Sequence, residues 1–345
     1  MKKSLSLLLG ACLALSLSGC AKTESATVYA MNTVMDFSVH AEKADDVIAR
    51  MTAAVNELDH LLSRTQAGTK VSQLNGAGGK AIALDEATVS LLETAREVSA
   101  ATGGAFDVTI APVASAWGFT EAVYRVPAQE ELAALLPLVD SSAIAIDGQM
   151  VSLAPGQAVD LGGIAKGYAS DCLADIFLSS GADSGYVSLG GNVLAWGAKE
   201  NGDPWRIGVK DPRDTSSLCG VLELKSAYAV TSGGYERCFE ENGRTYHHII
   251  DPATGYPADS DLLSVTIVMD WNGEALNGKT GNGTLCDALS TALFVMGEEE
   301  AADFWRSGPY DFDMVLVTAD GRVLSTPGIT FTPTEESGYT YETVS

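Results

Sequence analysis

Five strand-like runs follow one another between Tyr186 and Thr231 with no helical pattern between them. They are Tyr186 to Leu189, Val193 to Trp196, Arg206 to Val209, Val221 to Leu224 and Tyr228 to Thr231. Helical spacing sits elsewhere in the chain. No repeat of fixed period appears, and no βα alternation regular enough for a doubly wound sheet. The pattern is α+β: mostly antiparallel strands with segregated helices.

Upstream, Ala21 to Ala26 reads as a short tether, and Val28 to His40 as a strand interrupted at Met31 to Thr33. Val47, Ile48, Met51, Val55, Leu58 and Leu62 fall at helical spacing, which predicts a helix ending near Ser63. Lys70 to Lys80 reads as a polar, Gly-rich loop. Asp85 is placed to cap a second helix that turns Val89, Leu92, Ala95 and Val98 inward and closes at Gly103 and Gly104. Glu130 to Leu138 reads as a short helix. Asp147-Gly148 is a two-residue hairpin signal. A Gly-rich turn after Asp160 opens a helix reaching Leu178. Leu262 to Met269 is a strand, Asn272 to Gly283 a loop, Thr284 to Met296 an amphipathic helix, and Asp313 to Ser325 a hairpin around Asp320-Gly321. Length alone allows one large domain or two intimate ones, and we read 28–330 as one domain with 331–345 as a C-terminal tail.

Lys and Arg total 21 against 45 Asp and Glu, a net charge of −24. Such a chain repels nucleic acid, and no basic patch offsets the repulsion. It repels an anionic nucleotide as well, so binding one needs a cation or locally placed donors. At the N-terminus Lys2 and Lys3 precede an apolar run, Leu5 to Leu17, too short to span a bilayer comfortably. Leu17-Ser18-Gly19-Cys20 follows and resembles a bacterial lipobox. Residues 1–19 then read as a lipoprotein signal peptide, 20–27 as the tether, and Cys20 as the lipidated residue. That places the protein outside the cytoplasm, anchored to the bacterial cell membrane. Cys172, Cys219, Cys238 and Cys286 show no metal-ligand spacing. Their pairing is open, with Cys172 and Cys286 in helices reading as buried thiols.

Three stretches carry chemistry-bearing residues. Thr231 to Pro257, TSGGYERCFEENGRTYHHIIDPATGYP, holds two of the four histidines, His247 and His248, with Asp251 just beyond. Ser232-Gly233-Gly234 frees backbone N–H groups, and Pro252 to Gly255 reads as a rigid turn. Taken alone, this stretch is equally a hairpin with polar ends. Asp160-Leu161-Gly162-Gly163-Ile164-Ala165-Lys166-Gly167 is a loop-to-helix turn suited to anions, with Lys166 adding a point charge. In the helix from Thr284, Asp287 and Thr291 share a face one turn apart, with Ser290 beside them. These are hard oxygen donors of the kind Mg²⁺ takes, although a carboxylate near a helix start also complements the dipole. Trp117, Phe119 and Tyr256 offer stacking faces for a planar ring, and each alone is more often a core residue.

The hallmark stretch resembles that of the ApbE family, the FAD:protein FMN transferases. Met31 to Thr33, Gly103 to Phe119, Asp160 to Asp171, Val187 to Gly197 and Cys286 to Gly297 match the family's other blocks in order. The likeness runs from about Met31 to about Val317. It implies transfer of FMN from the substrate FAD to a threonine or serine of an acceptor flavoprotein, releasing AMP, with Mg²⁺. It implies Asp287, Thr291, Ser290 and the Gly163 carbonyl as the metal site. It implies Met31, Ala105, Phe106, Asp107, Asp160, Lys166 and Ile249 as FAD contacts. His248, directly before the IIDP run, is implied as the base, with Asp251 orienting the segment or the ring. Many relatives carry an aromatic shortly after the equivalent of Ser63, where this chain has Arg64, Thr65 and Gln66. Two rivals stay open: an FAD pyrophosphatase giving FMN and AMP, which needs the same site with water as nucleophile, and a flavin-binding or solute-binding lipoprotein without catalysis, which needs no Asp287/Thr291 metal pair and no base.

Overall fold

The computed structural model describes residues 21–120 and 123–344. The Cys20 lipidation reading lies outside them. The chain opens with β1 (Lys22–Ala30), β2 (Thr33–Ala41), α1 (Ala44–Leu61) and α2 (Lys70–Gly76). Next come β3 (Ile82–Ala83), α3 (Glu86–Ala101), α4 (Ala111–Trp117), α5 (Gln129–Leu135), β4 (Ala145–Asp147) and β5 (Met150–Ser152). α6 (Ala165–Ser180) precedes a run of strands: β6 (Ser184–Leu189), β7 (Asn192–Trp196), β8 (Trp205–Asp211), β9 (Asp214–Leu224), β10 (Ala227–Gly233), β11 (Cys238–Glu241), β12 (Arg244–His247) and β13 (Leu262–Asp270). The chain closes with α7 (Asn282–Met296), α8 (Glu298–Ser307), β14 (Asp313–Thr318), β15 (Arg322–Ser325), β16 (Phe331–Pro333) and β17 (Thr340–Thr343).

A nine-stranded sheet in the order β1-β2-β6-β7-β10-β13-β14-β15-β17 is the frame. Of the strand pairings among the described residues, only β15 with β17 is parallel. The fold is α+β, as the strand spacing implied. Alternation along each strand serves two cores. In β7, Leu194 and Trp196 enter the core beneath α1, α6 and α7. Ala195 enters a second core under the three-stranded sheet β16-β9-β8. A third cluster gathers Val113, Trp117, Phe119, Leu132 and Ile250, with Phe239 and Tyr246 of the β11–β12 hairpin packed on it. Trp117 thus stacks on Phe119 and meets Tyr256 edge-on, so all three rings pack on protein neighbours.

Four local expectations are overturned. Ala21 to Ala26 is not a tether, because Lys22 onward is ladder, paired from Lys22 with Ala41. Met31 does not interrupt a strand; it ends one. Met31 and Asn32 both hold positive φ, 49° and 58°, the two-residue turn that matches strand twist. Lys70–Gly76 is helical. The Thr69 side chain accepts the Ser72 N–H at its start, and Val71 and Leu74 are buried. The supposed C-terminal tail contributes β16 and β17 to the two sheets. Asp85 does cap α3, accepting the Thr88 N–H.

The helix predicted from Thr284 is more deeply placed than an amphipathic helix. α7 is buried from Gly283 through Phe294 apart from Leu285 and Thr291. Asp171 of α6, 1% exposed, ties down its start. Its carboxylate accepts the N–H groups of Gly281, Gly283 and Thr284 and the Thr284 hydroxyl. Burial pushes that carboxyl up, while the same hydrogen bonds pull it back. Among the described residues no helix is long and apolar enough to cross a membrane.

Candidate active site

α6 ends at Ser180 and β6 begins at Ser184, so the β6–β7 turn lies at the end of the sheet where α6 starts. The Met31-Asn32 turn lies at that same end, since Met35 pairs with Leu189. The C-terminal end of β10, with Ser232, also lies there. The candidate site is built where these turns meet the α6 start and the middle of α7.

The α6–α7 crossing is close because two glycines face each other. A methyl built on Gly167 would stand 2.2 Å from the Gly283 carbonyl oxygen and 2.7 Å from Asp287 Cβ. That approach lets Gly167 N–H donate to Asp287 Oδ2 at 2.8 Å. Along α7, Ser232 Oγ lies 2.8 Å from Ser290 Oγ and 3.2 Å from Thr291 Oγ1. A methyl built on Gly163 would stand 3.7 Å from Thr291 Oγ1 and 3.1 Å from the Phe106 ring. Asp287, Ser290, Thr291 and Gly163 therefore converge, and Ser232 joins them. Ser290 is fully buried and donates to the Asp287 carbonyl at 2.9 Å, so its hydroxyl braces the helix. Thr291 is half-exposed.

Among the described residues no group of three or more His, Cys, Asp or Glu side chains is placed to hold a metal. The oxygen set here differs in kind: one carboxylate, one half-exposed hydroxyl and the backbone at Gly163. It fits a hard cation that keeps waters and takes further ligands from substrate phosphates, as Mg²⁺ does.

His248 is the second element. Burial lowers its pKa to about 3, with the charges of Arg237 and Lys166 adding to the shift. Lys166 itself is the second residue of α6. His248 Nδ1 is sealed from solvent without a protein partner. The adjacent His247 turns elsewhere. Its Nε2 lies 3.1 Å from the Ala258 carbonyl oxygen, and its ring meets Phe294 edge-on at 5.4 Å. Asp251 does not reach the ring. Its two carboxylate oxygens accept the Ala253 N–H and the Thr254 hydroxyl, so it shapes the turn that follows.

The proposed FAD contacts divide. Phe106 is buried against Gly163, Ile249 is core, and Met31 and Ala105 pack half-buried on that core. Asp107 spends its carboxylate as a cap, accepting the Thr109 N–H at 2.7 Å and the Ser141 N–H at 2.8 Å. Asp160 accepts the Gly162 N–H through Oδ1 and Arg64 Nε through Oδ2, each at 2.8 Å. Sequence reasoning missed the Ser232 hydroxyl and the Arg64 pair, whose partners lie 58 and 96 residues away. An open cleft of about 780 Å³, lined by Arg96, Gly104, Asp107, Ser141 and Ala253, is elsewhere: neither Asp287 nor His248 lines it.

A family model described as the ApbE family matches residues 31–316. The chain belongs to the ApbE family. A relative from Klebsiella pneumoniae (strain 342), an FAD:protein FMN transferase, is 32% identical over 303 residues, covering 86% of this chain and 90% of its own. A Treponema pallidum (strain Nichols) relative with the same description is 32% identical, covering 80% and 78%. Among solved structures, the ApbE protein of Thermotoga maritima superposes with a TM-score of 0.78 at 33% identity, covering 91% of this chain and 97% of its own. The apo flavinyl transferase ApbE of Pseudomonas stutzeri superposes with a TM-score of 0.75 at 28% identity, covering 91% and 95%. This ApbE-family chain is an enzyme of the flavin-transferring type.

Proposed function

We propose that the protein transfers FMN from FAD to a threonine or serine hydroxyl of an acceptor flavoprotein outside the cytoplasm. The acceptor oxygen bonds to the FMN-side phosphorus, the pyrophosphate P–O bond breaks, and AMP leaves. The hydroxyl proton passes to His248. Such a reaction depends on positioning and on stabilising charge. The observation that supports it best is the meeting of the Asp287–Thr291 face with the start of α6, the helix that carries Lys166.

Each residue has a part. Lys166 offsets phosphate charge, and the α6 N-terminus favours the same anion. Asp287 and Thr291, with the Gly163 carbonyl, are the residues that would hold Mg²⁺. When bound, the ion supplies charge neutralisation at the pyrophosphate. The His248 ring is neutral and has a free lone pair, and the negative charge of bound substrate would raise its proton affinity toward the range a general base needs. The Phe106 ring packs against Gly163, where a Cβ would come within 3.1 Å of it. Anchoring through lipid at Cys20 would bring the enzyme to membrane-associated acceptors.

The test mixes purified protein, FAD, Mg²⁺ and a candidate acceptor, then looks for flavin fluorescence on the acceptor after denaturing electrophoresis. Fluorescence on the acceptor with stoichiometric AMP supports the proposal. Free FMN and AMP without labelled acceptor, across several acceptors, would mean that water is the nucleophile.

A further inference from the structure

We propose that Arg64 is a positioning residue for the dinucleotide: it holds Asp160 in place and cancels its charge where an anionic substrate must approach. This rests on the FAD reading above. Arg64 leaves the end of α1 and runs inward, its side chain 13% exposed. Nε donates to Asp160 Oδ2 at 2.8 Å. Nη1 and Nη2 donate to Ser115 Oγ of α4, each at 3.2 Å, and Nη2 also donates to Thr120 Oγ1. Four donor contacts fix the plane of the guanidinium, which a lysine could not reproduce.

Asp160 is held just as firmly. Its N–H donates to the Val108 carbonyl at 2.7 Å, and its Oδ1 accepts the Gly162 N–H. One carboxylate therefore joins the α1 end to the turn that presents Gly163 toward Thr291. The charge balance matters as much as the geometry. The chain carries −24, and the site already contains the carboxylate of Asp287. A second uncompensated carboxylate at the α6 start would oppose the pyrophosphate that Lys166 and the helix N-terminus favour. With its Nε–H bond Arg64 turns Asp160 from an isolated anion into half of an ion pair. The side chain of Asp160 is 28% exposed, so its charge is felt at the surface of the site.

Equilibrium binding separates this role from mere bracing. FAD and riboflavin are titrated against the protein by flavin fluorescence, without acceptor, for the unmodified protein, Arg64→Gln, Asp160→Asn and the double variant. Arg64→Gln is expected to weaken FAD about 10-fold and riboflavin less than about twofold, because only FAD carries the phosphate charge. Asp160→Asn should restore a large part of the FAD affinity in the Arg64→Gln background, a non-additivity expected of contacting charges. Arg64→Lys, which keeps the cation, should retain affinity better than Arg64→Gln and serves as the second variant if the latter folds poorly. Equal losses for FAD and riboflavin, or additive effects of the two substitutions, would overturn the proposal. If the unmodified protein binds no FAD, the FAD reading itself fails. If it binds FAD and Arg64→Gln binds equally well, only the role of Arg64 fails.

Discussion

Asp287 Oδ2 accepts the backbone N–H of Gly167 at 2.8 Å, across the crossing of α7 and α6. One carboxylate thus pins the start of the anion-favouring helix and belongs to the candidate cation site. The two roles separate by substitution. Asp287→Asn keeps the shape and one acceptor oxygen but removes the charge. Its Mg²⁺-dependent transfer should fall about 100-fold or more, the scale of losing a group that stabilises transition-state charge. Its melting temperature should stay near that of the unmodified protein. Asp287→Ala should lose activity and also destabilise by about 1–3 kcal/mol, because the buried Gly167 N–H loses its acceptor. Near-normal rates for Asp287→Asn at limiting Mg²⁺ would remove Asp287 from the metal site.

Gly167→Ala tests the crossing itself. The added methyl would stand 2.2 Å from a backbone oxygen of α7, which cannot turn away as a flexible side chain can. Either the helices part or the backbone shifts, at a cost of about 1–3 kcal/mol or more. Denaturant unfolding should show that loss, and transfer should fall with it because Asp287 moves away from the α6 start. Unchanged stability would mean that the crossing relaxes freely and that the glycine pair does not set the geometry.

Much of this arrangement was legible in the chain because it is local. Asp85 before a helical pattern, Asp147-Gly148 between apolar runs, and Asp287 with Thr291 one turn apart each declare themselves within a few residues. The first part of β1 was illegible because Lys22 to Ser25 are polar; it is an edge strand with mostly exposed outward positions. α2 spans only seven residues, too few for a periodic signal. The Arg64–Asp160 pair and the Ser232 hydroxyl contacts arise from sheet register and helix packing. No spacing within one element could announce them. The family likeness supplied the histidine and the FAD contacts, while the structure alone showed that Asp107 and Asp251 are engaged in their own turns.

The Cys20 reading carries its own test. β1 begins at Lys22, so only Ala21 separates a lipidated Cys20 from the ladder. Two residues of extended chain span about 7 Å. An anchored protein would therefore hold the β1 end of its main sheet close to the bilayer surface. Mass spectrometry of the mature N-terminus should find a diacylglyceryl-modified Cys20, and Cys20→Ser should move the protein from the membrane to the soluble fraction. An unmodified N-terminus starting elsewhere would refute it.

The free thiols and the histidines lead to pH predictions of different kinds. Cys172 and Cys219 are unpaired, and burial pushes both thiols up to about 12, so they should not titrate near neutrality. His248 behaves oppositely. Its ordinary value of 6.5 is lowered to about 3 in the folded protein, first by burial and then by Arg237 and Lys166. Between those values the unfolded chain takes up a proton that the folded ring refuses. Stability is therefore intact above about pH 6.5 and falls as the pH drops from there toward 3. The loss at pH 5 is on the order of 2 kcal/mol. His247, lowered by burial, shifts the balance in the same direction. His248→Asn should flatten the fall between pH 6.5 and 4 without abolishing it. In the same variant FMN transfer should be lost while FAD binding persists, because the acceptor hydroxyl loses its proton acceptor. The rate of the unmodified enzyme should show no rise through pH 6.5 attributable to His248, since its ring is already neutral there. Transfer that survives in His248→Asn and is lost in His247→Asn would exchange the two roles. Lost FAD binding in His248→Asn would make the ring a structural support of the site.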